Sequence, residues 1–509
     1  MSFTRYTISA ADKKANDGTN YVYYKRAGTG SAADTFIVYL QGGGFCRAFG
    51  TGDIWDCDDR TPNQTSSSGW PASLPDSQLA YGILSNDSAE NPHFFQATHF
   101  FFPYLSSDAW LGTDLDAGSG WYFHGQNIAR YIIDELIANH GLDTDKTLII
   151  CGDSAGAVGI YHTIPYWYAD HFDTGEDLDG IEWYAVPVSG WLIDPGTLDP
   201  GDVDFQTVLT DAIALWTADS PYMTEPEFVG NEWETFKSAR FWPYVDDKIR
   251  DRLLTVNAIP DAIPTNFSQI DLALPMPTPE LDFLKSIATT MTAELNDLPR
   301  VFAAAEVTDV DSVATPLHAM CLLPAFTRQR VNCRSVNWAI QRLIEGKLFA
   351  IVDTWDGKFI PETIAGSGTT SPLSSPPSLN LMRTVSFRQT ISNIGFPVDW
   401  KKIRFTLKSA ATDLDANAII QIVASNPNEA GDGITVLNGS PTSDPTGACL
   451  MLDMDAGTAT LSIHYEITTQ LNLGNAIYWD IKATNEDDTA VLLTVIGNGR
   501  VSDPITLTV

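Results

Sequence analysis

The sequence predicts a large α/β unit, in which a mostly parallel sheet carries helices on both faces, followed by an all-β domain. Three observations predict it. From about residue 20 to 355, short apolar runs alternate with amphipathic stretches, the pattern of strands buried on both faces by crossover helices. Past Ala365 the chain reads Gly-Ser-Gly-Thr-Thr-Ser-Pro-Leu-Ser-Ser-Pro-Pro, a linker by its Gly, Ser and Pro content. Beyond the linker the apolar period becomes two: Ile403, Phe405 and Leu407 are interleaved with Arg404, Thr406 and Lys408, as in an antiparallel strand with one wet face.

Taken in order, Thr35–Leu40, His99–Tyr104, Thr147–Cys151, Trp183–Val188 and Val301–Ala305 are apolar runs of the buried-strand type. Between two of them, Gln126–Asn139 puts Ile128, Ile132, Ile133, Leu136 and Ile137 on one helical face, and Gly141 stands where a left-handed C-cap falls. Residues 195–265 break the alternation with Trp- and acid-rich helical segments, expected to form a cap above the sheet. The expected domains are 1–364 for the α/β unit, 365–380 for the linker and 381–509 for a β-sandwich. The sandwich strands include Ala459 to Ile467, Tyr478–Ile481 and Ile505–Val509.

Composition narrows the function. Hydrophobic residues make up 44% of the chain and charged residues 18%, values of a folded chain with no stretch that spans a bilayer. The net charge of −34 repels phosphate, so nucleic acid and anionic membranes are poor partners. Residues 1–20 contain no apolar core of a secretory signal. Among the six cysteines, Cys46/Cys57 and Cys321/Cys333 are close enough in sequence for local disulfides, which geometry would have to permit. Cys151, at the end of an apolar run, is expected as a buried thiol.

The chemistry is concentrated in Thr147-Leu-Ile-Ile-Cys-Gly152-Asp153-Ser154-Ala155-Gly156. An apolar strand runs into G-x-S-x-G and then into small residues that open a helix, the context of the nucleophile elbow in the α/β-hydrolase fold. Ser154 is the expected nucleophile. After the run Phe36–Leu40 comes Gln41-Gly-Gly-Gly44-Phe45, a turn able to aim backbone N–H groups at an oxyanion. Gly43 or Gly44 would be one donor and Ala155 the other.

Triad partners in this fold follow in the order serine, acid, histidine. Of the eight histidines, His93, His99, His124 and His140 precede Ser154, His162 and His171 follow it too closely, and His464 lies in the β domain. That leaves His318 as base. For the acid, Asp271 closes a short apolar stretch, with Asp194, Asp261 and Asp309 competing on spacing.

These segments resemble the pectin acetylesterase and Notum family of serine esterases. The resemblance runs through Tyr39-Leu-Gln-Gly-Gly-Gly-Phe-Cys46, Gly82–Pro92, Phe102–Trp110 and Tyr122-Phe-His-Gly-Gln126 to the elbow, and covers roughly residues 20 to 345. It implies Ser154 as nucleophile, Gly43 or Gly44 with Ala155 as oxyanion donors, Asp271 as acid and His318 as base. It also implies the disulfides Cys46–Cys57 and Cys321–Cys333. Three positions depart from the family's pattern: Gln41 replaces an acid, Asp153 a small residue and His124 an arginine.

The implied activity is hydrolysis of an acyl ester through an acyl-enzyme, with no metal or cofactor. The foremost expectation is removal of O-acetyl groups from a polysaccharide, with Phe45, Trp110 and the cap near the acyl pocket. The alternatives are a carboxylesterase of longer acyl or polyester chains and a non-catalytic surface or binding protein on a hydrolase scaffold. The C-terminal domain resembles immunoglobulin-like modules of phage baseplate and tail proteins, which implies an extracellular or phage-particle setting and attachment to a polymer or particle.

Overall fold

Phe36 to Leu40 are all buried, and an unbroken apolar run is stable as a strand only with neighbours on both edges and layers on both faces. In the computed structural model this strand is central to a ten-stranded sheet. Described are residues 2–75, 82–88, 91–114, 120–194, 204–261 and 278–304, and beyond them the elements named below with a few flanking residues. The chain divides into two compact units, Met1–Gln329 with Val336–Pro361 and Arg330–Ser335 with Glu362–Val509.

The strands of the first unit are β1 (Ser2–Ile8), β2 (Tyr21–Arg26), β3 (Thr35–Leu40), β4 (Ser73–Pro75), β5 (Thr98–Phe102), β6 (Thr147–Asp153), β7 (Glu182–Val188), β8 (Thr255–Ala258), β9 (Val301–Ala304), β10 (Val307–Val310), β11 (Val313–Pro316), β12 (Ile351–Val352) and β13 (Ile360–Pro361). The large sheet runs β12-β9-β8-β7-β6-β3-β5-β2-β1-β4. It is parallel from β12 to β5. From β5 through β2 and β1 to β4 it is antiparallel. A small three-stranded sheet runs β11-β10-β13.

The helices are α1 (Gly125–His140), α2 (Ala155–Trp167), α3 (Phe205–Trp216), α4 (Thr278–Asn296) and α5 (Val336–Ile344). Helix α1 buries Ile128, Ile132, Ile133 and Leu136 and ends at Gly141 in the left-handed region, φ 72°. Burial of each such side chain contributes roughly 1.5–3 kcal/mol. Among the described residues, no helix is long and apolar enough to cross a membrane.

Two features differ from the sequence expectation. The sheet extends through β1 and β2, and β2 reads Tyr-Val-Tyr-Tyr-Lys-Arg. It can be buried because the hydroxyls of Tyr21, Tyr23 and Tyr24 donate to Pro103 O, Glu135 Oε1 and Pro71 O at 2.6, 2.6 and 2.7 Å. The segment 195–265, expected as a cap, also contains a strand of the sheet. Helix α3 and short turns as far as Arg250 lie between β7 and β8, but Thr255–Ala258 pairs with Val301–Ala304 in the sheet. This strand is short and carries the buried Asn257, so it has no apolar signature.

The second unit holds a seven-stranded sheet formed by Leu379–Met382, Val491–Ser502, Ala476–Thr484, Lys402–Lys408, Ile420–Ser425, Gly433–Leu437 and Ser440–Pro441, in that spatial order. A three-stranded sheet joins Phe387–Ile391, Thr458–Ile463 and Ala448–Asp453. All pairs are antiparallel except that of Leu379–Met382 with Val491–Ser502. Ile403, Phe405 and Leu407 are buried as expected, yet so are Thr406 and Lys408, so the wet face predicted for this strand is covered. The expected strand Ile505–Val509 lies outside the described residues.

Candidate active site

Strand β6 ends at Asp153 and helix α2 starts at Ala155, so one residue must turn the chain from strand to helix. Ser154 does so at φ 53°, ψ −121°, a conformation that L-residues rarely adopt and that costs of order 1–3 kcal/mol. The strain is held by its N–H, which donates to Val188 O at 2.9 Å, and by its carbonyl, which accepts from Val158 N–H at 3.0 Å. The turn also needs close backbone approach. A Cβ at Gly156 would run into the Leu40 carbonyl, and one at Gly42 would come within 2.7 Å of Ser154 Cβ. Ser154 is 6% exposed.

That contact brings the turn after β3 against Ser154. Its first peptide is held at both ends: Trp110 Nε1 donates to Gln41 O at 3.0 Å, and Gly42 N–H donates to Asp153 Oδ1 at 3.1 Å. The Tyr39 hydroxyl donates to the same oxygen of Asp153 at 2.6 Å. The carboxylate before Ser154 therefore faces the turn, which explains how this strand-to-helix turn accommodates Asp153 in place of a small residue. Farther along, Gly43 O accepts from Arg60 Nη1 at 2.7 Å and Gln64 Nε2 at 3.4 Å. The N–H groups of Gly43, Gly44 and Ala155 have no acceptor among the described residues. Unclaimed donors beside a strained serine at a helix N-terminus can stabilise negative charge on a carbonyl oxygen under attack.

Cys46, just past the turn, is bonded to Cys57, with Cα atoms 4.9 Å apart. Cys151 is a free, buried thiol, and burial pushes its pKa up, so it is inert. Phe45 is stacked on Trp55 at 4.8 Å between ring centroids and meets Trp216 edge-on at 5.3 Å. Trp110, expected near the acyl pocket, is fully buried beneath the turn, where its indole N–H supports Gln41.

Several histidines are committed elsewhere. His99 contacts Arg26 Nη2 at 3.1 Å and Ile83 O at 3.0 Å, and burial brings its pKa to about 3. His162 on α2 contacts Ser220 Oγ at 2.7 Å and is likewise held neutral by burial, at about 3. His140 lies between the Tyr23 hydroxyl and Lys25, its pKa lowered to about 4 by burial and then by the lysine. His124 is buried and accepts from Lys14 N–H at 3.0 Å.

Asp271, His318 and the Cys321–Cys333 pair lie outside the described residues. Of the competing acids, Asp194 is half-exposed and paired with Lys237 at 3.1 Å. Asp309 is on β10 of the small sheet, opposite Ala314. Asp261 is 1% exposed and follows the C-terminal end of β8. Strand ends step across the sheet toward it: Ser154 N–H bonds Val188 O of β7, and Ser189 N–H bonds Val256 O of β8 at 2.7 Å.

Residues 5–212 match the family model described as pectinacetylesterase. Palmitoleoyl-protein carboxylesterase notum1 of Xenopus laevis is 28% identical over 301 residues, 57% of this chain and 58% of that protein. The human palmitoleoyl-protein carboxylesterase NOTUM is 27% identical over 307 residues, 57% of each chain. This chain thus spans less than two thirds of the length of the curated relatives it matches. In fold, the solved structure of the Wnt deacylase Notum from Drosophila aligns at TM-score 0.57 and 21% identity, covering 71% of this chain and 98% of that one. The Ser154 turn, the glycine turn after β3 and the Cys46–Cys57 bridge all lie inside the segment by which this chain is similar to the pectinacetylesterase family.

Proposed function

We propose that the protein is a serine carboxylic ester hydrolase that removes O-acetyl groups from a polysaccharide through an acyl-enzyme. The observation that carries this reading is Ser154 at φ 53°, ψ −121°, with the Gly42 backbone against it and the N–H groups of Gly43, Gly44 and Ala155 unclaimed. Ser154 Oγ attacks the ester carbonyl, its proton passes to His318, and the oxyanion is received by the free N–H groups. The protonated imidazole then protonates the departing alcohol, and water releases the acid by the same route in reverse.

For the third triad member, Asp271 has the resemblance in its favour. Asp261 has topology: it is buried at the exit of β8, two strands beyond β6, outside the carboxyl ends of the parallel strands where sites of such sheets are built. On that ground Asp261 is the preferred acid.

Two acyl classes compete. The curated relatives are named for palmitoleoyl esters, which favours a long acyl chain. Against it, Phe45 next to the oxyanion turn is stacked on Trp55 and meets Trp216 edge-on, and all three are nearly buried, so this wall is filled rather than open. A filled wall supports a short acyl group. The second unit, read as a β-sandwich, would hold the enzyme on a polymer or a particle, outside cells. The reading is tested with p-nitrophenyl esters of two to sixteen carbons and with acetylated polysaccharides. Acetate release and a kcat/KM falling with chain length are expected; a kcat/KM rising toward long chains would transfer the protein to the long-acyl class.

A further inference from the structure

The turn Gln41–Gly44 is held one peptide at a time. Trp110 and Asp153 secure the Gln41–Gly42 peptide at its carbonyl and its N–H. The Gly43–Gly44 peptide is held at the carbonyl alone, chiefly by Arg60. In a planar trans peptide the C=O and the following N–H point in opposite directions, so whatever holds the Gly43 oxygen also aims the Gly44 N–H. Gly44 lies at φ 67°, where an alternative orientation of this peptide costs a glycine little. Without a hold on the carbonyl, the direction of the N–H would not be fixed.

Arg60 is built into place for such a hold. Its Nε donates to Ser107 Oγ at 3.1 Å, its Nη1 donates to Gly43 O, and its Nη2 is buried with no partner among the described residues. Burial pulls the guanidinium below its ordinary range, which Tyr104 and Asp108 nearby partly offset. A buried guanidinium with an unsatisfied nitrogen is expensive, and no carboxylate bonded to it recovers that expense. The Cys46–Cys57 bridge ties the exit of the turn to the residue three before Arg60, so guanidinium and turn are joined covalently over a short path.

We infer that Arg60 is a positioning residue: through the Gly43 carbonyl it sets the Gly44 N–H as an oxyanion donor. This rests on the serine hydrolase reading above. Removing one oxyanion donor outright slows catalysis about 10²–10³-fold, and releasing its support should do less. For R60A, kcat on p-nitrophenyl acetate should fall about 10–100-fold with KM within about twofold. Affinity for a tetrahedral-intermediate mimic such as a trifluoromethyl ketone should fall in proportion to kcat/KM. R60K, which keeps one donor but not the fork, should lie between R60A and wild type. Should R60A fail to fold, R60Q takes its place.

Crystal structures of wild type and variant give a readout independent of turnover, namely the orientation of the Gly43–Gly44 peptide. A turned or doubly populated peptide in R60A supports the inference. If the peptide keeps its orientation, or if kcat is unchanged, Arg60 positions nothing and the inference falls. A wild type that hydrolyses no ester would overturn the proposed function instead, and the peptide orientation would still decide the role of Arg60.

Discussion

Two turns leave the C-terminal ends of the neighbouring parallel strands β3 and β5, and they handle their backbone donors in opposite ways. The turn after β3 reaches φ 148° and 67° with glycines at 43 and 44, and leaves two N–H groups unclaimed beside Ser154. The turn after β5 takes Ser107, Ala109 and Trp110 to φ 52°, 51° and 65° with side chains attached. Here the donors are used. Asp108, fully buried, accepts from Ser106 Oγ at 2.6 Å, Trp110 N–H at 3.0 Å and Gly125 N–H at the start of α1 at 2.7 Å. Ala109 N–H donates to the Tyr104 hydroxyl at 2.5 Å. One turn leaves its donors open, which under the proposed function would receive a reacting oxygen, and the other spends its donors on a buried carboxyl group that props it up. Strain is common to both turns, so the proposed site rests on the unspent donors and not on strain alone.

If the comparison holds, a change at the serine that the open turn faces should move activity and leave stability alone. Ser154→Ala should lower kcat by about four to six orders of magnitude, with the thermal midpoint within about 2 °C of wild type. Retention of a tenth of the activity would remove Ser154 from the chemistry. Next in size, loss of the acid should cost about 10⁴-fold in kcat by leaving the imidazole in the wrong tautomer. Asp261→Asn and Asp271→Asn, assayed side by side, decide between the two carboxylates. A crippled Asp271→Asn beside a near-normal Asp261→Asn would return the role to the residue that the family resemblance favours.

The glycine turn after β3 and the Ser154 elbow beside it were legible in the sequence, and the closed turn was not. Gly-x-Ser-x-Gly after an apolar run predicts the elbow because close backbone approach leaves a local mark: Gly156 has no room for a Cβ against Leu40. Strand Thr35–Leu40 and the helix around Ile128 to Leu136 were legible for the same kind of reason, a period set by burial. Arg60 leaves no mark, since Asp58-Asp59-Arg60 reads as a solvated charge run and only the tertiary fold brings it to Gly43. Trp110 reads as pocket lining because an aromatic near a site has two uses, and only burial tells support from lining. The segment expected from sequence as a cap includes β8 because that strand is four residues with a buried asparagine, whose Oδ1 accepts Trp191 N–H at 3.2 Å. The positions of Asp271 and His318 lie outside the described residues.

The smallest expected effect concerns the closed turn and is read as stability against pH. Burial raises the Asp108 carboxyl from the ordinary 3.8 to about 6, against the pull of the hydrogen bonds from Ser106, Gly125 and Trp110. Between these values the folded protein holds a proton that the unfolded chain has released. The contribution of this group to stability is therefore complete below about pH 3.8 and is lost as pH rises through about 6. A rise of that size is equivalent to about 3 kcal/mol. Asp108→Asn removes the titration and adds a penalty independent of pH, because an amide NH₂ must face one of the donors that the carboxylate accepted from. Urea unfolding of both proteins at pH 4.5, 5.5 and 7 should find the advantage of wild type over Asp108→Asn shrinking by about 2 kcal/mol as pH rises. An advantage that grows with pH would mean that the donors outweigh burial and keep Asp108 charged throughout. In that case the closed turn would be an anion site like the open one, occupied by the protein's own carboxylate, and the contrast between the two turns would reduce to which anion fills them.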